Sequence, residues 1–79
     1  MDKINESKFL TEMNIQDIIR FIIEDYNVEY DKAFEMFCST QTFSKLSDVE
    51  TGLYRESPAY VYEIFKNELK YGQITQIEQ

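Results

Sequence analysis

The chain has 79 residues, with 15 acidic against 8 basic side chains, no His, no Trp and a net charge of −7. One domain is what this length holds, and a hydrophobic fraction of 43% is that of a folding chain rather than a disordered one. The acidity works against phosphate backbones, which need clustered Lys and Arg, and against anionic membrane surfaces. The expectation is a protein partner or self-association, with a homodimer as its simplest form, and no nucleic acid or membrane.

Residues 1–12 carry weak signals. Ile4, Phe9 and Leu10 are the large apolar side chains there, and Ser7 suits a short helical turn. The prediction is a loosely ordered N-terminal helical arm. Its polar character predicts no leader peptide, and no apolar run approaches the ~20 residues of a membrane span.

Residues 14–26 give the clearest helix. Ile15, Ile18, Ile19, Ile22, Ile23 and Tyr26 fall on one wide stripe. Asn14 is placed to cap the N-terminus, and Asp17 sits in the first turn against the helix dipole. Phe21 lies off the stripe. Asn27 breaks the chain before a second helix over residues 29–39, whose apolar members are Tyr30, Ala33, Phe34, Phe37 and Cys38. The short link makes the two helices antiparallel or steeply crossed neighbours.

Residues 40–47 read as a short helical turn capped by Ser39 or Thr40, with Phe43 and Leu46 inward. Asp48 to Gly52 is the main loop, with Gly52 at a positive φ. Ser57-Pro58 opens the last helix as N-cap and first helical residue. Val61, Tyr62, Phe65 and Leu69 form its stripe, Gly72 its stop, and residues 73–79 a loose tail. The predicted fold is all-α: a compact bundle of three main helices with short helical turns. Ile19, Ile22, Phe34, Phe37 and Phe65 are its expected core.

Chemistry finds few tools here. Without His the commonest general base and neutral metal ligand are missing. One Cys can build neither an internal disulfide nor a structural zinc site, and it suits a reducing cytoplasm. Gly52 and Gly72 stand too far apart for a phosphate-binding loop. Glu24, Asp25, Glu29, Asp31 and Glu35 read as a solvated acidic face. Cys38 reads as a small hydrophobe beside Phe34 and Phe37. The expectation is no enzyme, no cofactor and no metal.

The most distinctive stretch is Thr51-Gly52-Leu53-Tyr54 followed by Ser57-Pro58-Ala59-Tyr60-Val61-Tyr62. With one stripe per helix already filled, Tyr54, Tyr60 and Tyr62 are partly surplus to the core, and Glu56 and Glu63 lie among them. An amphipathic patch with an acidic rim is one outcome, because exposed Tyr is a preferred interface residue. Tyr54 and Tyr62 closing the core, with Tyr60 merely exposed, is the other. The candidate partner-binding residues are therefore Tyr54, Glu56, Tyr60, Tyr62 and Glu63.

From Ile15 to Leu69 the chain resembles a group of small helical bacterial proteins. They share an apolar first helix, an Ala-x-x-x-Phe second helix (Ala33, Phe37), a Ser-x-x-Phe-x-x-Leu turn (Thr40, Phe43 and Leu46 here, with Thr for Ser), then Thr-Gly-Leu-Tyr and Ser-x-x-Tyr-x-Tyr. Some of that group are encoded beside ADP-ribosyltransferase-like toxins. The resemblance implies an antitoxin-like interaction role and carries no site residue with it. The competing reading is a homo-oligomeric structural or regulatory helical domain.

Overall fold

The computed structural model describes residues 3–72, with side chains from Glu6 onward. Every described element is helical: α1 Lys3–Tyr26, α2 Tyr30–Cys38, α3 Gln41–Ser47, two 3₁₀ turns at Val49–Thr51 and Leu53–Arg55, and α4 Pro58–Tyr71. Among the described residues there are thus four α-helices rather than three main ones, because the helical turn expected over 40–47 is a full helix. The expected tail at 73–79 lies outside the described residues.

The first helix departs most from the sequence reading. It does not begin at Asn14 but at Lys3, so the expected loose arm continues the same helix. Asn14 sits mid-helix and is buried. Its Nδ2 donates to the carbonyls of Tyr54 at 3.2 Å and Glu56 at 3.3 Å, with a longer contact to Leu10 O at 3.4 Å. Three converging carbonyls identify the nitrogen as the atom that faces them. What looked like a local cap is a long-range tie from α1 to the second 3₁₀ turn. Ser7, two turns earlier, is buried as well, so the inward face of α1 runs well upstream of the Ile stripe.

The remaining termini follow local chemistry. Asn27 ends α1 at φ 55°, and its N–H donates to Ile23 O at 2.9 Å; Asn tolerates this left-handed region better than most side chains. Ser57 caps α4 by accepting from Tyr60 N, Pro58 follows it, and Gly72 closes the helix at φ 79°. Gly52 takes φ 72° between the two 3₁₀ turns. Thr51 Oγ1 braces that corner, donating to the carbonyls of Lys45 and Asp48 and accepting from Leu53 N.

A seven-residue helix such as α3 does not form alone, since nucleation costs more than so few hydrogen bonds return. Its N-terminus is held from two sides. Thr40 Oγ1 accepts from Phe43 N at 3.2 Å. From α4, the Glu68 carboxylate accepts from Gln41 N at 2.8 Å, Thr42 N at 2.9 Å and Thr42 Oγ1 at 2.8 Å. The free N–H groups of the first turn are thereby paired, and the carboxylate lies at the positive end of the helix dipole.

The core gathers Ile18, Ile19 and Ile22 of α1, Ala33 and Phe37 of α2, Leu46 of α3, Tyr54 of the second 3₁₀ turn, and Val61, Tyr62 and Phe65 of α4. A continuous run of rings threads it. Phe37 meets Phe43 at 5.5 Å and Phe65 at 5.6 Å, both edge-on; Tyr62 stacks on Phe65 at 5.8 Å and tilts onto Phe21 at 5.2 Å. Such pairs add ~0.5–1.5 kcal/mol each beyond area burial. Of the five expected core residues, Ile19, Ile22, Phe37 and Phe65 are buried, whereas Phe34 is 45% exposed. The stripe of α2 is narrower than its sequence suggests: Ala33 and Phe37 point inward, and Phe34 stands on the flank. Leu69, expected on the stripe of α4, is exposed too.

Candidate functional site

The five candidate residues between 54 and 63 do not form one surface. Tyr54 and Tyr62 are each 6% exposed and belong to the core. One stripe per helix does not fill this core, for two reasons. The 3₁₀ turns deliver Tyr54 to a gap beneath α1, and Phe21, off the Ile stripe, supplies the wall against which Tyr62 packs. The Tyr62 hydroxyl donates to Asp25 Oδ2 at 2.7 Å. Burial, first, and that carboxylate, second, hold the phenol well above the ordinary tyrosine range.

Tyr60 is half-buried and Glu56 exposed. Both line a depression of about 240 Å³ together with Lys45, Thr51, Gly52, Leu53 and Ile64. It offers one cation, one carboxylate and one phenol on a braced backbone. Glu63 does not line it; its carboxylate pairs with Lys66 Nζ at 3.2 Å, and that ammonium also lies 5.0 Å from the centre of the Tyr62 ring. Cys38 is half-buried, and burial pushes its thiol up, away from the thiolate needed for reactivity. Among the described residues no group of His, Cys, Asp and Glu is arranged to hold a metal ion. No helix among them is long and apolar enough to cross a membrane.

A second aromatic group lies at the corner between α1 and α2. Tyr26 ends α1 and is 40% exposed; Tyr30 opens α2 at 49%, and Phe34 follows one turn later at 45%. The rings of Tyr30 and Phe34 stack almost parallel, 6.2 Å apart and 10° from coplanar. Residues 24–35 hold five carboxylates, at Glu24, Asp25, Glu29, Asp31 and Glu35, against the single cation Lys32. Asp25 is engaged by Tyr62. Among the described residues Glu24, Glu29, Asp31 and Glu35 make no ion pair; the pairs present are Arg20–Asp17 and Lys66–Glu63. The sequence carries the signal for this corner as aromatics one turn apart within an acidic run; the five acids are solvated as expected, whereas Phe34, expected in the core, is exposed beside them.

Comparison of the chain with models of known protein families finds no match, and neither curated protein sequences nor solved structures yield one.

Proposed function

We propose that this chain is a non-catalytic protein-interaction module whose partner is a basic protein, working as the neutralising half of a toxin–antitoxin-like pair in the bacterial cytoplasm. The observation that carries this reading is the coincidence of acidity with exposed apolar surface. Eight large apolar side chains among the described residues are exposed on a chain of net charge −7. A small domain gains from covering such surface, and a basic partner would find the charge complementary. A sequence without His and with one Cys supports a binding role over a catalytic one.

Self-association is the competing reading, and Phe9 with Met13 favours it. They lie one turn apart on the outer face of α1, beside a groove of about 270 Å³ shared with Glu12, Gln16 and Asp17. Like charge on both copies opposes it. The test is co-expression of the tagged chain with the product of the adjacent gene. A stoichiometric complex with a basic protein, together with a monomeric chain when expressed alone, is the expected result. A concentration-independent homodimer that retains no second protein would contradict it.

A further inference from the structure

Among the described residues, four of the chain's own cations lie over aromatic rings. Arg20 sits 5.6 Å from the Phe21 centroid, Arg55 5.3 Å from Tyr54, Lys66 5.0 Å from Tyr62 and Lys70 5.4 Å from Tyr71. Ring faces carry negative potential and attract such groups. The stacked pair Tyr30 and Phe34 has no cation over it among the described residues. Lys32 is two positions from each ring, so helical geometry turns it to another side of α2. Asp31 and Glu35, each one residue beyond a ring, form the adjoining row. The result is an exposed ledge of two ordered rings, edged by carboxylates without ion pairs.

We propose that this ledge is the docking site for a basic helical segment of the partner protein, one that presents Arg or Lys side chains one helical turn apart. The inference rests on the proposed interaction function and specifies its surface. The spacing supports it: Asp31 and Glu35, like the rings they follow, are four residues apart on α2, a rise of ~6 Å that matches positions i and i+4 on a partner helix. Each cation pairs with one carboxylate, Asp31 or Glu35, and lies against the part of the neighbouring ring that the stack leaves open. Arg suits the position better than Lys, because its planar guanidinium stacks on the ring while its N–H fork meets a carboxylate. The rings already stack on one another, so little side-chain freedom is lost on binding. Charge complementarity selects this occupant over a second copy of the chain, which would bring the same carboxylates against these.

The probe is a synthetic 18-residue Ala-based helical peptide with Arg at i, i+4 and i+8, compared with its Arg→Gln counterpart. Titration is followed by calorimetry and by backbone amide NMR shifts of the intact protein. Amide shifts centred on residues 26–38 are expected, with affinity falling as salt rises. Tyr30→Ala/Phe34→Ala should weaken binding about tenfold or more, and Asp31→Asn/Glu35→Gln should weaken it and flatten the salt dependence. Phe9→Ala/Met13→Ala should change nothing. Wild-type shifts centred on another face, or unchanged affinity in the ring variant, would overturn the ledge while leaving the interaction function standing. No binding of the Arg peptide anywhere would also overturn it, and if the adjacent gene product failed to co-purify as well, both would fall. A dimer in sedimentation that the ring variant dissociates would overturn it in favour of self-association.

Discussion

At the seam of α1 and α4, Tyr62 stacks on Phe65, tilts against Phe21 and gives its hydroxyl to Asp25, whereas at the corner of α1 and α2, Tyr30 stacks on Phe34 and both stay in solvent. The two clusters have the same residue types, similar ring separations and nearby carboxylates. They differ in what lies behind them. The Tyr62 cluster continues through Phe65 and Phe37 to Phe43, so each ring has neighbours on several sides. The Tyr30 pair has helix on one side and water on the other. An aromatic pair is therefore a core element or a recognition surface according to its surroundings, not its own geometry.

The largest effect is expected at Phe37, which joins Phe43 to Phe65 and is fully buried. Phe37→Ala should cost ~3–5 kcal/mol, read as a large drop in the urea midpoint. Total stability of small domains is ~5–15 kcal/mol, so much of the population would unfold on mild warming. An unchanged midpoint would mean that the run of rings is not the centre of the fold.

A smaller effect is expected at Asn14. Asn14→Ala leaves the carbonyls of Tyr54 and Glu56 without the amide that ties them to α1. Asn14 Oδ1 is itself buried without a hydrogen-bond partner among the described residues, so truncation also removes a cost. We expect a net loss of about 1–2 kcal/mol by urea unfolding. Amide hydrogen exchange should rise locally over residues 53–56; exchange that stayed unchanged there would refute the tie.

The smallest effect should come from Tyr62→Phe, which keeps the ring and removes the hydroxyl. Its partner Asp25 is exposed and can turn to water, so the loss near neutral pH should be about 1 kcal/mol. The alkaline limb sharpens the test. The folded state holds the Tyr62 proton more tightly than the unfolded chain does. Above the ordinary tyrosine value of about 10, the unfolded state therefore binds fewer protons, and stability falls as pH rises. Wild type should lose stability from that pH upward, and Tyr62→Phe should lose less. Identical alkaline limbs would show that the hydroxyl is not held as described.

Much of the fold is legible where the decisive contacts are local. Ser57-Pro58, Gly72, Gly52 and Thr40 act within a turn or two of themselves, and each lies where its chemistry predicts. The misreadings share the opposite property. Asn14 resembles an N-cap because Asn favours that position, yet its two shorter hydrogen bonds go to carbonyls forty residues and more away in the chain. The start of α1 at Lys3 is helical alongside buried Ser7 and Asn14, whereas taken alone that stretch shows only a weak stripe. Of the two outcomes the sequence allows for Tyr54 and Tyr62, they take the one that closes the core; a stripe count does not decide between them because it omits the pocket that Phe21 and the 3₁₀ turns complete. Phe34 seemed buried because its spacing from Cys38 matches that of Ala33 from Phe37, and periodicity does not say which of two adjacent rows faces inward. In the candidate region, Tyr60 and Glu56 share a surface, and the exposed aromatics concentrate at the acidic corner instead.

One variant in two assays tests whether the buried rings carry stability and the exposed pair carries recognition. Tyr30→Ala/Phe34→Ala should unfold within about 1 kcal/mol of wild type in urea, far from the loss expected for Phe37→Ala, while its affinity for the Arg-bearing helical peptide falls about tenfold or more. A midpoint that dropped as far as that of Phe37→Ala, with peptide affinity preserved in the fraction still folded, would place these rings in the core and leave them no part in recognition.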